Sequence, residues 1–328
     1  MTTSQSWDFS ITRNELITAA LRAGRIIGKD QTPDANHITT GSEALNMLVK
    51  QLQGPIDMAF GRKAWTRQRL TMFLAKGQQR YTIGPASTDA RCTAQYGRTT
   101  LSAAEAAAQT TLSITSNTDT TTYPGTTVTM TASDIVGIEL DDGTIQWTTI
   151  SGTPSSTMDI AVALTGAASA GNYVYWFTSR AQRPVLIEAA TLRDEDRKDQ
   201  KLALYTEVED YAKFPDKFAD GTNPTSMLVE YQRLNTAVTF DVQPTDVTKV
   251  VELSVLYPME DYDSASDDVA FPQEAYRALK FLLALDLWPE YKENDPPAWL
   301  VRLGDQSKAF FDNLNPETTT LYFEPFRE

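Results

Sequence analysis

The two side chains most often used for nucleophilic or metal chemistry occur once each, as Cys92 and His37. One thiol and one imidazole cannot make a disulfide, a thiolate zinc site or a multi-histidine centre within one chain. A Cys–His nucleophile pair also needs a third group to orient the imidazole, and none is marked beside either residue. The expectation is a buried thiol, a loop imidazole and no catalytic residue. Asp261, Asp263, Asp267 and Asp268 offer hard oxygens for a cation, but they lack the glycine turn and distal glutamate of a calcium loop. They read as a solvated loop, and neither a metal nor another cofactor is expected. Glu207 and Glu209 would serve glycoside hydrolysis only at a defined carboxylate separation, which sequence spacing does not set. The phosphate-loop, dinucleotide-glycine and Gly-x-Ser-x-Gly patterns do not occur.

Binding chemistry is better represented. Arg62, Lys63, Arg67 and Arg69, interrupted by Trp65, suit phosphate or an acidic protein rim, because long cationic side chains and a planar aromatic fit either surface. A solvated strand face explains the same charges without a ligand. With 43 acidic against 29 basic residues the formal net charge is −14, the opposite of the basic footprint that wraps nucleic acid. At the other end, Leu321, Tyr322, Phe323 and Phe326 lie in an otherwise polar segment beyond Pro316. They are apolar anchors for a partner groove, or for the chain's own core.

The elements that must position these groups are legible from periodicity. The chain has 328 residues, 41% hydrophobic and 22% charged, which suits a folded protein of about two domains. Met1 to Trp7 lacks the features of a secretion signal, and no run approaches the roughly 20 apolar residues of a membrane span, so neither is expected. Thr12-Arg13-Asn14-Glu15 is a capping box that predicts a helix to about Ile27, and Thr40-Gly41-Ser42-Glu43 predicts a second, ending at Gly54-Pro55. Trp65 to Leu74 and Gln79 to Ile83 read as a hairpin turning at Lys76-Gly77.

From Thr99 to Thr178 the composition changes: Ser and Thr dominate and Lys and Arg are absent. Asp142-Gly143 between apolar runs predicts a type I′ hairpin there, Val174 to Phe177 predicts an aromatic strand, and Ala103 to Ala108 is left open. An inserted β-sandwich follows, independent enough to be removed without unfolding the rest. Strands are expected at Val185 to Leu192, Met227 to Tyr231, Ala237 to Val242 and Val250 to Tyr257. Helices are expected after Pro272 and after Asp295-Pro296-Pro297, with a stop at Asn315-Pro316. The expected class is therefore α+β: a helical core with a small antiparallel sheet, an inserted β-sandwich-like domain and an extended C-terminal tail. The expected division is 1–85 and 180–314 for the core, 86–179 for the insertion and 315–328 for a C-terminal arm.

The order of these segments resembles the head-to-tail adaptor family of short-tailed bacteriophages, also called tail accessory or packaged-DNA stabilisation proteins. The resemblance lies in the opening helices with Glu15-Leu16-Ile17-Thr18-Ala19-Ala20-Leu21-Arg22 and Ala44-Leu45-Asn46-Met47-Leu48, and in the segment Phe73 to Ile83. It continues in the strand ending Leu256-Tyr257-Pro258 and in the helix opening Phe271-Pro272-Gln273-Glu274-Ala275-Tyr276. It covers about Phe9 to Pro85 and Arg180 to Leu314 and leaves the Ser/Thr-rich stretch outside. It implies a non-enzymatic ring, a dodecamer, below the portal protein at the head–tail junction of the virion, assembled in the bacterial cytoplasm. Such a ring retains packaged DNA, which touches its channel transiently and without sequence preference, and it offers a platform to tail nozzle or fibre proteins. The family's habit of gripping the portal with its C-terminal segment falls here on Leu321, Tyr322, Phe323 and Phe326. A tail-tube ring protein, and a carbohydrate-binding adhesin or hydrolase with a β domain, are the competing classes.

Overall fold

The computed structural model describes residues 9–53, 66–85, 91–123, 125–194, 198–212, 216 and 219–314. In chain order the elements are α1 (Arg13–Ala23), α2 (Ala35–Gln53), β1 (Arg67–Phe73), β2 (Arg80–Ile83), β3 (Arg91–Thr93), β4 (Gly97–Thr100), β5 (Thr111–Ser113), β6 (Thr118–Asp119), β7 (Val128–Thr129), β8 (Ile135–Glu139), β9 (Ile145–Thr149), β10 (Thr157–Asp159), β11 (Tyr173–Phe177), β12 (Leu186–Arg193), β13 (Asp199–Tyr205), α3 (Val208–Ala212), β14 (Asp220–Gly221), β15 (Ser226–Tyr231), β16 (Thr236–Phe240), β17 (Gln243–Pro244), β18 (Val250–Leu256), α4 (Tyr276–Tyr291) and α5 (Ala298–Asp312). The class is mixed α+β. Two compact units divide the chain: Met1–Arg67 with Pro258–Glu328, and Gln68–Tyr257. The expected segments 1–85 and 180–314 each contribute to both units.

The first unit holds the four long helices. Thr12 caps α1 through the expected reciprocal box, with Glu15 N–H donating to the Thr12 hydroxyl and the Glu15 carboxylate accepting from Thr12 N–H. The helix stops at Ala23, before the expected Ile27. Arg25 takes a left-handed conformation (φ 54), and the Arg25 and Ile26 N–H groups return to Arg22 O (3.1 Å) and Leu21 O (2.9 Å). That is a Schellman closure with arginine where glycine usually stands. Helix α2 begins five residues before the expected Thr40, because Asp34 accepts from His37 N–H (2.8 Å) and caps the turn first. The second capping box is therefore helix interior. Leu16, Ile17, Leu45, Val49, Leu279 and Leu283 form the centre of one core. A Cβ on Gly41 would stand 2.4 Å from Ile17 Cγ2 and one on Gly304 2.9 Å from Leu285 Cδ2, so both glycines let helices approach closely.

The second unit is built on an eight-stranded sheet in the order β2-β16-β15-β13-β12-β18-β1-β3, larger than the small sheet expected. β13 and β15 run parallel, an arrangement that alternation alone does not announce. The turn at Lys76-Gly77 forms, with Gly77 at φ 73, but the hairpin does not: β2 pairs with β16, and β1 sits beside β18 and β3. Laid flat, six inter-strand spacings would separate β1 from β2 by about 29 Å. The connection between them reaches at most about 25 Å when fully extended. The sheet must therefore curl until its ends approach. Tyr81 pins the corner by accepting from Ala75 N–H (2.9 Å) and donating to Ala75 O (3.2 Å). Leu70, Met72, Val238, Val251, Leu253 and Val255 fill the enclosed face.

Residues 97–177 carry a four-stranded sheet, β4-β11-β8-β9, and the ribbons β5/β10 and β6/β7. The β8–β9 hairpin forms as expected, with a different turn. Gly143 N–H bonds Leu140 O (3.0 Å), Leu140 N–H bonds Thr144 O (2.8 Å), and Gly143 has φ 75 while Asp142 is not left-handed. This is a three-residue loop with a glycine bulge rather than type I′. Ala103 to Ala108 is not helical; Glu105 bridges Ala168 and Ala108 has φ 68.

Candidate functional site

Strand β11 reads Tyr-Val-Tyr-Trp-Phe, and period-two alternation sends its residues to two cores. Val174 and Trp176 join Leu112, Val136, Ile138 and Met158 in a core within residues 97–177. Tyr175 and Phe177 face the other way, into an aromatic cluster centred on Phe73 of β1. The Phe73 ring lies 5.0 Å from Tyr175, 5.1 Å from Trp147 and 5.2 Å, edge-on, from Tyr96. Such offset and tilted pairs each add about 0.5–1.5 kcal/mol beyond area burial. The Ser/Thr-rich segment is thus sutured to the large sheet through rings that alternate with its own core residues.

On the same face of that sheet as Phe73, charges alternate across four neighbouring strands: Arg69 (β1), Glu252 (β18), Arg193 (β12) and Asp199 (β13). Arg193 grips Asp199 with two nitrogens (2.7 and 2.8 Å) and also touches Glu252. Hydrogen bonding to Arg193, helped by the charge of Arg69, holds the Asp199 carboxyl below its ordinary range. Glu252 moves the other way: burial pushes its carboxyl up despite the same guanidinium. Arg69 and Arg67 are exposed on β1, and Arg69 faces carboxylates of its own sheet. Arg62 and Lys63 lie outside the described residues, as do Leu321, Tyr322, Phe323 and Phe326. A recess of about 40 Å3 opens beside Tyr96, Arg98 and Arg193, and another of about 220 Å3 beside Lys198, Asp199 and Lys249. Both are smaller than the roughly 300–1,000 Å3 typical of small-molecule sites.

The segment Thr99 to Thr178 contains seven carboxylates and no cation. Each carboxylate accepts a hydrogen bond from a nearby backbone or hydroxyl group. Glu105 takes Ser113 N–H (2.7 Å), Asp134 takes Thr131 N–H (2.7 Å), Glu139 takes Tyr173 N–H (3.0 Å) and Asp159 takes the Thr111 hydroxyl (2.6 Å). Asp141 takes Ser169 N–H (2.8 Å) and Asp142 takes Thr144 N–H (2.9 Å). Asp119, 4% exposed, accepts from Arg98 N–H (2.9 Å), Thr121 N–H (2.7 Å) and the Thr121 and Thr122 hydroxyls. These bonds hold Asp119, Asp141 and Asp142 below the usual carboxylate range; at Asp119 they prevail over burial, which alone would raise it. The abundance of Ser and Thr has its counterpart here: they donate to the acids that close the turns.

In the helical unit, the segment from Met259 to Val269 is a loop on which Asp261, Asp263 and Asp268 are exposed, as expected, while its backbone is tied to the helices. Buried Arg13 donates to Asp263 O (2.8 Å) and Tyr262 O (3.3 Å), its N–H bonds Asp267 O (2.8 Å), and Thr12 bridges Asp268. Lys50 pairs with Asp261 (2.7 Å), and the Asp267 carboxylate accepts from Ser264 N–H (2.6 Å). Among the described residues no group of three or more acids, histidines or cysteines is arranged around a common point. Cys92 is buried and its thiol is pushed up to about 12 by desolvation, and His37 belongs to the other unit, where it meets Asp34 and stacks on Tyr291 at 5.1 Å. No described helix is long and apolar enough to cross a membrane. No family model matches the chain, and no curated protein matches it.

Proposed function

We propose that this protein is a structural head-to-tail connector of a bacteriophage virion. It forms a dodecameric ring below the portal, retains packaged DNA and presents a platform to tail nozzle or fibre proteins. The observation that carries this reading is that one helical unit is assembled from both parts of the chain that flank a continuous β unit, Gln68–Tyr257. The segments that resemble the adaptor family supply all four long helices of that unit, whereas the Ser/Thr-rich segment, a small sandwich in this reading, hangs from the sheet. Its carboxylates are engaged internally, which suits a docking surface made of hydroxyl and amide groups rather than of bare charge. In this reading Arg62, Lys63, Arg67 and Arg69 are the residues that meet an acidic neighbour or transient DNA, and the C-terminal anchors hold the portal.

Imaging of purified particles tests the assignment. The expected result is ring density in stoichiometric amount directly below the portal; absence from particles, or a position at a fibre tip, overturns it. In reconstitution, changing Arg62, Lys63, Arg67 and Arg69 to Gln should weaken association more at low than at high salt, since exposed charges are screened over roughly 10 Å at 0.1 M. A loss independent of salt would point to damaged packing instead.

A further inference from the structure

Between helices α4 and α5 the floor is made of small buried side chains, Ala278 and Ser307, while Phe281 on α4 and Leu303 and Phe310 on α5 stand as walls. Large residues beside small ones leave a groove of about 370 Å3. Phe310, 47% exposed, projects beside it as a knob. The rim carries one charge of each sign, Glu274 and Arg277, about one helical turn apart on the same face. Neither makes an ion pair or a hydrogen bond among the described residues; the Arg277 guanidinium only lies over the Phe281 ring, 5.9 Å from its centre.

We infer that this face binds the same face of a second copy about a two-fold axis. An isologous contact needs a patch complementary to itself, so that residue i meets j while j meets i. This patch meets the requirement in shape, because knob and groove lie side by side and each copy offers both. It meets it again in charge. An axis crossing α4 between Glu274 and Arg277 lays the helix antiparallel on its copy and sets each Glu274 against the partner's Arg277. A wholly acidic or wholly basic ligand would satisfy one of these charges and repel the other, so the mixed rim selects a surface that carries the same pair. The eight lining residues fall well short of the roughly 20–30 a side of a standard interface, so the pair is weak and reversible. A two-fold contact closes on itself and cannot propagate into a ring. It is therefore a state of the free chain, one in which the apolar face stays covered, and it does not rest on the connector reading.

Sedimentation equilibrium of the full chain over a range of concentrations tests this, and a reversible monomer–dimer equilibrium is expected. Glu274→Arg and Arg277→Glu each place like charges across the axis, and each should weaken association at least tenfold. Mixing the two variants, or combining both reversals in one chain, should restore it, because opposite charges then face one another again. A head-to-tail contact with a different face would not be rescued in this way. Phe310→Ser, at an exposed position, should also weaken association while leaving helical content unchanged. A chain that is monomeric at every concentration, reversals that leave association intact, or reversals that fail to rescue each other would overturn the proposal. None of these results bears on whether the chain sits below a portal, so this inference and the connector reading fail separately.

Discussion

Asp119 concentrates the chemistry of the Ser/Thr-rich segment in one side chain. Replacing it with alanine leaves the Arg98 and Thr121 N–H groups without their acceptor in a partly buried place, at a cost of about 1–2 kcal/mol. Thermal unfolding followed through Trp147 and Trp176 fluorescence should report that loss. The pH dependence has a definite sign. Asp119, Asp141 and Asp142 have lower pKa values folded than unfolded, so their stabilisation is present above the ordinary carboxylate range, about 3.9, and is lost as pH falls through the folded values. Near-ultraviolet dichroism of the aromatic cluster should therefore fade on acidification before the helical signal does; simultaneous loss would contradict it. At this scale the sequence was legible in type and mute in partner. The missing cations of Thr99 to Thr178 were plain, but that each acid would be bonded by a neighbouring hydroxyl or amide depends on turns that composition does not specify. How the backbone of the exposed acidic loop is tied down was not legible for the same reason, because Arg13, which donates to its carbonyls, lies some 250 positions away in the chain.

Helices were readable where a side chain states its own boundary, as at Thr12, and less so where two boundaries compete. Thr40 looks like a helix start, yet the structure starts α2 at Ala35, capped by Asp34. Asp34→Ala should cost about 1 kcal/mol of stability through the lost cap, whereas Thr40→Ala, inside the helix, should leave stability within about 0.5 kcal/mol of its starting value. Chemical denaturation of the two variants checks this, and the reverse order would restore Thr40 as the start. Most of the longer strands were readable as strands, β13 and the short β3, β4, β5 and β10 were not, and the pairing partners were not. The turn at Lys76-Gly77 carries every local mark of a hairpin, yet β1 and β2 belong to different places in a curled sheet. Pairing is decided by burial of Leu70 and Met72 against Val251 and Val255, contacts separated by most of the chain. The double use of β11 escaped periodicity because both of its faces are apolar, which removes the alternation that would have marked an edge or an outer face.

At the scale of the molecule, the residues around Phe73 change what a deletion should do. Removing Thr99 to Thr178 takes away Trp147, Tyr175 and Phe177 and leaves Phe73, 1% exposed in the intact chain, facing water. The expectation that the remainder folds unharmed gives way to another: the deletion should lower the unfolding midpoint and expose dye-binding surface, and Phe73→Ala alone should cost about 3–5 kcal/mol. Normal midpoints in both would show that the rings are ornamental. The division into units has one more consequence, for the order in which the ribosome delivers the parts. The core of 97–177 is contiguous and complete soon after its last strand emerges. Helix α1 must wait for α4, and β1 for β18, delays of roughly 10–50 s at about 5–20 residues per second. Through that interval the apolar stripe of α1 is a nascent-chain liability, so early synthesis is when this protein would most need a chaperone, and slowing elongation between Gln68 and Tyr257 should raise the share of chains lost to aggregation.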